Sequence, residues 1–481
     1  MRACQRTVLI LMLSSSAFGH VGSPNVYLEG DAGPYHLLIT VNPPAMVPGV
    51  AQVQVRVISG TVNSIRIAPV YVNGKDQGLP PSSDLMQPTL DQQTLSGKVW
   101  LMESGSWEVR VEVSGSQGIS RLVVPVPAAA RRILPMQKAL ATLLFGLMLL
   151  LGFGIASIAG AAAREGGLRA GTIPSPQNRH LGRIAMAVAG TLVVTILALG
   201  NWWWNAQAAS LKQTMLYSAP PLRVSFDGTD QLTLRIEEDF RHKSRKNQWS
   251  MTLIPDHGHL MHAFLIRVPA MDRFYHLHPE QANDGSFTLK LPTMPPGKYK
   301  IFADIVRGTG FPETMVSEID LPNVTGSAFS GDDSGVDASE KSGRTMSVAP
   351  LADGGRMLWE QDREALKAGQ VSWLRFIVED AEHKPADDLE PYMGMAGHAE
   401  FVRSDFSIFA HIHPAGSVPM ASLMVAQKDF GSPMDHSSMH ALADKLSFPY
   451  GFPQPGDYRL FVQVKRHGQV ETGVFDAHVE N

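Results

Sequence analysis

Two long apolar runs without a charged residue most constrain what this chain of 481 residues can fold into. They cover residues 139–163 and 184–204. At a rise of 1.5 Å per residue, either run is long enough as a helix to cross about 30 Å of hydrocarbon. Trp202, Trp203 and Trp204 close the second run, as aromatic anchors do at a membrane interface. The sequence therefore predicts a two-helix transmembrane hairpin with helices in 136–163 and 184–204.

The loop between the two runs, 164–183, indicates the orientation of the hairpin. Arg164, Arg169, Arg179 and Arg183 lie in it, opposed only by Glu165. Because short cytoplasmic loops carry an excess of arginine and lysine, this loop is predicted to be cytoplasmic. The regions on either side of the hairpin are then expected on the outer, periplasmic side of the inner (cytoplasmic) membrane, with the lipid bilayer as a partner.

The N-terminus has the layout of a secretory signal peptide, predicted at 1–19. Arg2 and Arg6 precede an apolar stretch at 8–13, and Ala17 and Gly19 fit the small-residue rule for cleavage. Cleavage there would leave His20 as the first residue of the mature chain.

Charge and cysteine content exclude several classes of function. The chain has 41 Lys plus Arg against 45 Asp plus Glu, a net charge of -4, so it lacks the basic footprint of a nucleic-acid-binding protein. Its single cysteine, Cys4, lies in the predicted signal peptide, so no disulfide framework is expected. With 17 histidines and 22 methionines, any metal chemistry must use imidazole and thioether ligands.

Outside the hairpin the sequence has the rhythm of short β-strands. Residues 52–57 and 107–113 alternate apolar and polar side chains, the period of a half-buried strand. A turn glycine followed two residues later by an aromatic residue precedes a strand three times, at Gly105, Gly297 and Gly456. We therefore predict a mainly β protein with three β-sandwich modules at 20–135, 216–323 and 348–481, and a flexible linker at 324–347.

The second and third modules contain an internal repeat built around histidines. His262 is followed by His276, His278 and a proline in the second module, and His398 by His411, His413 and a proline in the third. Two histidines two residues apart on one strand point to the same face, about 7 Å apart, and can share a metal ion once a third ligand is near.

Each module supplies such a third ligand. His398 is the candidate partner of His411 and His413. In the second module His262 takes the same place, and His257 and His259 add donors. The structural alternative is that these histidines are polar residues at a sandwich corner.

Two further segments combine possible copper ligands. Met434, His436, Met439 and His440 form a methionine- and histidine-rich run in the third module. The other methionines near this run or near His398 are Met393, Met395, Met420 and Met424. Thioethers suit Cu(I) and imidazoles suit Cu(II), so the run could hold either oxidation state. The alternative is a polar loop with incidental methionines.

The predicted mature N-terminus is the last candidate site. The α-amine and the imidazole of His20 can chelate one Cu(II) ion, and His36 could complete that site. The alternative is a cleavage site that happens to precede a histidine.

These motifs carry a resemblance to known families. The first module, from His20 through the turn at 31–34 to Trp107, resembles the extracytoplasmic β-sandwiches of the YtkA-like family. The modules with paired histidines resemble secreted metal-binding domains, and the N-terminal histidine resembles the ligand of CopC-type copper carriers. The resemblance implies an immunoglobulin-like (Ig-like) fold and a role in copper handling.

The expected function is binding rather than catalysis. The chain contains no Gly-x-Ser-x-Gly, phosphate-loop or His-Glu-x-x-His motif. We expect a membrane-anchored protein that binds copper for storage, delivery or resistance, with a copper transporter or an oxidase-assembly protein as partner. The alternatives are a structural or accessory scaffold beside a membrane complex, without metal, and a copper-dependent oxidase that uses the N-terminal histidine.

Overall fold

The computed structural model describes residues 25–72, 84–91, 93–134, 136–169, 171–237, 252–338, 347–360, 365–428 and 445–481. They belong to two compact units, one formed by the residues up to Ala129 together with Ala219–Asn481, and one by Ala130–Ser218. The predicted fold class is confirmed, because the chain is mainly β, with three β-sandwiches and two long apolar helices.

The first sandwich packs two antiparallel sheets around one apolar core. Its strands are β1 (Val26–Ala32), β2 (Tyr35–Asn42), β3 (Gly49–Ser59), β4 (Val62–Tyr71), β5 (Asp84–Leu85), β6 (Gln87–Pro88), β7 (Thr94–Leu101), β8 (Gly105–Gly115) and β9 (Gly118–Ala128). The sheet orders are β1-β2-β3-β7-β6 and β5-β4-β8-β9.

The second sandwich pairs a four-stranded with a six-stranded sheet. Its strands are β10 (Leu222–Phe226), β11 (Gln231–Ile236), β12 (Leu253–Ile254), β13 (His262–Arg267), β14 (Arg273–Leu277), β15 (Glu280–Gln281), β16 (Phe287–Lys290), β17 (Gly297–Arg307), β18 (Pro312–Leu321) and β19 (Ser334–Asp337). The smaller sheet runs β10-β11-β16-β15 and the larger β12-β17-β13-β14-β19, with β18 paired to β17. Strand β19 lies inside the segment predicted as a linker, where it pairs with the edge of β14.

The third sandwich repeats this architecture. Its elements are β20 (Val348–Pro350), β21 (Arg356–Glu360), β22 (Leu366–Lys367), β23 (Val371–Glu379), β24 (Leu389–Glu390), β25 (His398–Arg403), β26 (Phe409–Ile412), α3 (Met420–Lys428), β27 (Lys445–Gly451), β28 (Gly456–Arg466) and β29 (Gln469–Glu480). The helices α1 (Lys138–Glu165) and α2 (Pro176–Met215) lie earlier in the chain. The smaller sheet runs β20-β21-β23-β27 and the larger β22-β29-β28-β25-β26, with β24 paired to β28.

The repeated turn glycine begins an equivalent strand in each sandwich. Gly105, Gly297 and Gly456 have φ values of 140°, 153° and 128°, a backbone region that favours glycine. Two residues on, the aromatic side chain donates a hydrogen bond to the carbonyl four residues before it. The donors are Trp107 at 2.9 Å, Tyr299 at 2.8 Å and Tyr458 at 2.7 Å. The same turn therefore fixes the start of β8, β17 and β28.

The second compact unit contains two helices, α1 (Lys138–Glu165) and α2 (Pro176–Met215), which pack on each other. Both α1 and the Pro176–Ser210 part of α2 are long and apolar enough to cross a membrane. They pass closely at Gly160 and Gly182, where a Cβ atom on either glycine would lie 3.1 Å or less from the other's carbonyl oxygen. Such small residues let two membrane helices approach each other's backbone.

The larger sheets of the second and third sandwiches pack face to face. One face of each sheet lies on its own sandwich core, and the opposite faces form a separate apolar cluster. Phe302 stacks on Phe409 with ring centroids 4.3 Å apart, and Phe274 stacks on Phe461 at the same distance. These strands are therefore buried on both faces, as strands are in sheets covered on two sides.

Candidate metal centre

Histidines from both modules gather beside this aromatic junction. Neighbouring ring centroids in the group lie between 3.9 and 6.3 Å apart. The histidine cluster consists of His257, His259, His262, His276, His278, His398, His411 and His413. All of them were candidates from the sequence, and the structure brings the two modules' sets into one place.

Strand alternation explains why these side chains share a face. On β25, Ala399 and Phe401 enter the sandwich core, whereas His398 and Glu400 point to the junction. On β26 the same alternation turns His411 away from the core, and His413 follows it just past the strand end. The predicted pairing of His411 with His413 agrees with this geometry, with ring centroids 4.7 Å apart.

The cluster contains two groups of three histidines in which one nitrogen from each residue lies within 4.8 Å of the others. The first group is His262, His276 and His278, all from the second module. The second group joins His257 of the second module to His398 and His413 of the third. His411 lies beside His398 and His413, as expected, and it also neighbours His262 and His276 of the first group.

Backbone carbonyls fix the tautomers of two of the three histidines in the second group. Nδ1 of His257 lies 2.9 Å from the carbonyl oxygen of Met393, and Nδ1 of His413 lies 3.2 Å from that of Val418. A carbonyl only accepts, so each Nδ1 carries the proton and each Nε2 presents a lone pair. Both Nε2 atoms, and both ring nitrogens of His398, are buried without a hydrogen-bond partner among the residues that the structure describes.

The first group is held in the same way. Nδ1 of His276 donates to the amide oxygen of Gln463 at 2.9 Å, and Nε2 of His262 donates to the carbonyl of Asp256 at 3.1 Å. Nδ1 of His278 lies 2.9 Å from a carboxylate oxygen of Asp333. Each histidine therefore keeps one lone pair free, oriented by an outer partner as metal-binding histidines are.

Burial keeps these imidazoles neutral. It is the largest cause, followed by neighbouring imidazoles, that holds the pKa of His262, His276, His398 and His413 well below 6.5. Burial also lowers the pKa of His257 and of His278. A neutral imidazole is the form that binds a metal, because protonation removes its lone pair.

A buried carboxyl group, missed in the sequence, lies among the histidines. Glu400 is fully buried, and neither of its oxygens has a hydrogen-bond partner within the described part of the chain. One of them lies 4.0 Å from Nε2 of His411, whose Nδ1 is 3.5 Å from Asp304. Burial and the nearby charge of Asp304 raise the pKa of Glu400 well above 4.5. The signal for Glu400 was its position two residues after His398 on one strand.

The metal-free protein should become more stable when Glu400 is replaced by Gln. Folding forces this carboxyl group to take up a proton above pH 4.5, so its cost to stability grows as the pH rises from there. Glu400→Gln removes that cost, with an expected gain of about 1–3 kcal/mol near neutral pH. Thermal unfolding of the full chain in detergent, followed by circular dichroism, should give a higher midpoint for the variant at neutral pH and no gain below pH 4.5.

Glu313→Gln is the matched control, since Glu313 is also buried but lies 2.6 Å from Arg307. It should lower the midpoint, because Arg307 loses its partner. A lower midpoint for Glu400→Gln as well would contradict the assignment of Glu400 as a protonated, unpaired group.

The remaining candidates lie elsewhere. His36 is in the first module, where its two nitrogens contact Asp31 at 2.7 Å and Glu29 at 3.1 Å. The bond to Glu29 is the largest cause that raises the pKa of His36 to about 9, so it is protonated at neutral pH and holds no free lone pair. His20, Met434, His436, Met439 and His440 lie outside the described residues.

The methionines before His398 correspond to histidines in the second module. His257 and Met393 have the same φ of 51°, each followed by a glycine of positive φ. Isolated bridges join Asp256 to His259 and Tyr392 to Met395 in the same way. Met393 and Met395 therefore take the loop positions that His257 and His259 hold in the other module. Met420 and Met424 lie on α3, where the side chain of Met424 is exposed.

Helix α3 ties the cluster to its surroundings. Asp256, next to His257, accepts a hydrogen bond of 2.7 Å from the backbone of Ala421 at the start of α3. Val418 and Leu423 pack into the core cluster of the first sandwich. The loop that holds His413 is thus fixed by all three sandwiches.

Comparisons with known proteins name no function for this chain. A family model described as a domain of unknown function, DUF8832, matches residues 351–481. No curated protein matches the chain.

Among solved structures, the chain is similar to an engineered protein at 16% identity, with 20% of this chain and 21% of that chain covered and a TM-score of 0.16. It is also similar to the alpha-2-macroglobulins of Escherichia coli and Salmonella, both at 9% identity. The alignment with the Escherichia coli protein covers 95% of this chain and 31% of that chain, with a TM-score of 0.17. The alignment with the Salmonella protein covers 96% of this chain and 24% of that chain, with a TM-score of 0.20. The chain thus spans less than a third of the length of these proteins.

Proposed function

We propose that this chain is a membrane-anchored, extracytoplasmic metal-binding protein and that its metal is copper, held for storage, delivery or resistance. One observation carries the proposal. Six neutral histidines present buried lone pairs in two compact groups, and their other ring nitrogens are largely held by outer partners.

The energetics of these lone pairs favour ligation over a structural role. A buried acceptor without a partner costs about 1–3 kcal/mol. At least four such nitrogens lie in the two groups, on His257, His278, His398 and His413. A structural corner would be more stable with apolar residues at these positions, whereas metal ions bound in the two groups would satisfy the lone pairs.

The donor set supports copper among the metals that imidazole binds. Three-histidine sites suit zinc, copper, iron and nickel. The loop before His398 contains the buried side chains of Met393 and Met395, at the positions that His257 and His259 hold in the other module, and thioethers are soft ligands that favour Cu(I) over zinc. Direct competition between these metals tests that preference.

The proposed membrane anchoring and orientation rest on α1 and α2. Arg169 lies between them, and Arg164, Arg179 and Arg183 lie in their facing ends, a distribution that supports a cytoplasmic loop and β-sandwiches on the periplasmic side of the inner membrane. A copper transporter or an oxidase-assembly protein is the kind of partner that such a location suits.

The test is a metal titration of the full chain in detergent, purified without chelators and analysed first for its native metal. In competition with Cu(I) and Cu(II) chelators, the chain should retain copper and so show tight binding. Replacing His398 and His413 together by Ala should weaken binding in the second group by about 100-fold or more, since loss of even an outer partner costs 10–100-fold.

The matched control replaces His467 and His478, two exposed histidines that pair with Asp388 and Asp457. It should leave the affinity unchanged. A wild-type chain that binds none of these metals would overturn the proposal and favour the scaffold function. An equal loss in both variants would show that binding lies outside the cluster.

A further inference from the structure

We propose that the cluster binds two metal ions at the same time, one in each three-histidine group, as a single dinuclear centre between the second and third sandwiches. This inference rests on the proposed metal-binding function and adds the number of ions and their proximity. It is carried by the geometry of each group, by the residues that join the groups, and by the internal repeat that relates the two modules.

The first group already has the spacing of a metal site. Nδ1 of His262 lies 3.1 Å from Nε2 of His276, and the outer hydrogen bonds leave a lone pair on both. Two lone pairs so close repel each other unless a cation or a proton lies between them. Two ligands of one tetrahedral ion, each about 2.0–2.1 Å from it, lie about 3.3 Å apart. His278, with its ring centroid 4.9 Å from that of His262, supplies the third nitrogen.

The second group is complete only when both modules are present. The ring of His257 lies 5.0 Å from that of His398 and 4.9 Å from that of His413. No nitrogen is shared between the two groups, so occupation of one leaves the three ligands of the other available. One ion bound in the first group therefore cannot satisfy the lone pairs of the second.

His411 joins the two groups. Its ring centroid is 5.5 Å from that of His262 in the first group and 5.5 Å from that of His398 in the second. Its Nε2 is buried and has no hydrogen-bond partner among the described residues. Glu400 and Asp304 beside it add oxygen donors at the same point. The two ions would thus be neighbours with ligands between them.

The internal repeat relates several residues of the centre to one another. In the repeat His276 corresponds to His411, and Gln463 corresponds to Asp304 two residues beyond the matched phenylalanines Phe461 and Phe302. The contacts are reciprocal, because His276 bonds to Gln463 of the other module and His411 contacts Asp304 of the other module. The repeat also makes His398 and His413 of the second group the counterparts of His262 and His278 of the first, so each module supplies histidines from equivalent positions to one group.

The test is a Cu(II) titration of the full chain in detergent, followed by copper analysis and electron paramagnetic resonance. The chain carries Met434→Leu, His436→Ala, Met439→Leu and His440→Ala, to remove binding by that segment. We expect two copper ions per chain at saturation. Their spectrum should show spin–spin interaction. It would appear either as dipolar broadening with a half-field transition, or as an integrated signal that accounts for fewer spins than the number of bound copper ions.

Single variants assign the ions. His278→Ala should remove one ion and His413→Ala the other, and each should restore the spectrum of an isolated Cu(II) ion. If circular dichroism shows that either variant does not fold, the copper stoichiometry and the spin–spin interaction of the parent chain still test whether the centre is dinuclear.

The outcomes separate this inference from the proposed function. One ion per chain would overturn the dinuclear centre and leave the proposed function standing. Two ions without spin interaction would overturn the single centre. No bound copper would overturn both.

Discussion

The metal-free protein should lose stability steeply as the pH falls below about 6.5, the pKa of an unperturbed histidine. Six histidines of the cluster have folded-state pKa values below 6.5, because burial disfavours their charged forms. Below that pH the unfolded chain binds protons that the folded chain does not. The stability is fully present above pH 6.5 and is lost towards the folded-state pKa values.

The expected loss is large relative to ordinary protein stability. Each histidine that stays neutral in the folded chain lowers the free energy of unfolding by about 1.4 kcal/mol for each pH unit below 6.5. Glu400, with its raised pKa, has the opposite effect and offsets the contribution of one histidine. With five protons in the balance, the net slope is about 7 kcal/mol per pH unit, against a total stability of about 5–15 kcal/mol for a typical protein. The midpoint of thermal unfolding should therefore fall sharply between about pH 6.5 and pH 5.

Variants identify the source of this slope. His276→Leu should reduce it by about 1.4 kcal/mol per pH unit, since one fewer group then takes up a proton on unfolding. The exposed pair His467→Ala and His478→Ala should leave it unchanged. A chain as stable at pH 5 as at pH 7 would show that the cluster is open to water or protonated in the folded state.

The second large effect is expected from Phe409→Ala. This substitution should lower the free energy of unfolding by about 3–5 kcal/mol and weaken metal binding without removing a ligand. Phe409 is buried in the junction between the two large sheets, stacked on Phe302 and 5.0 Å from Phe264. Its loss loosens the contact that brings His257 to the third module. The second group should lose affinity more than the first, whose ligands all belong to one module.

Phe376→Ala is the control, because Phe376 is equally buried in the third sandwich's own core. It should destabilise the chain by a similar amount and spare the metal affinity at temperatures where the protein stays folded. Thermal midpoints and copper competition measured on both variants give the comparison. Equal losses of affinity would mean that the junction has no special part in forming the second group.

The alternation of side chains predicted much of the cluster from the sequence. It predicted that His411 and His413 share one face of their strand, and their rings lie 4.7 Å apart. The repeat predicted that His262 lies near His276, and these rings lie 5.4 Å apart. The recurring turn glycine likewise marked equivalent strands in the three sandwiches. These features are local, so a period of two along one strand is enough to reveal them.

The packing of one module on another was not predictable by the same means. A strand's alternation separates its two faces, but it does not say what covers the second face. Phe264 and Phe274 lie on the same faces as the histidines, and such aromatic residues on both faces of a strand indicate burial on both sides. Without that inference His411 was assigned to a site within its own module, and Glu400 was not considered.

The face-to-face packing of the two repeated modules has a consequence for how this centre can diverge. Two identical chains around a two-fold axis must present identical residues, so a change on one side of their interface is always made on the other. Here the two halves are linked in one polypeptide, and each can change alone. Met393 and Met395 take the loop positions that His257 and His259 hold in its counterpart, a difference that a symmetric dimer could not hold. Covalent duplication therefore allows one half of the proposed centre to carry thioethers where the other half carries imidazoles.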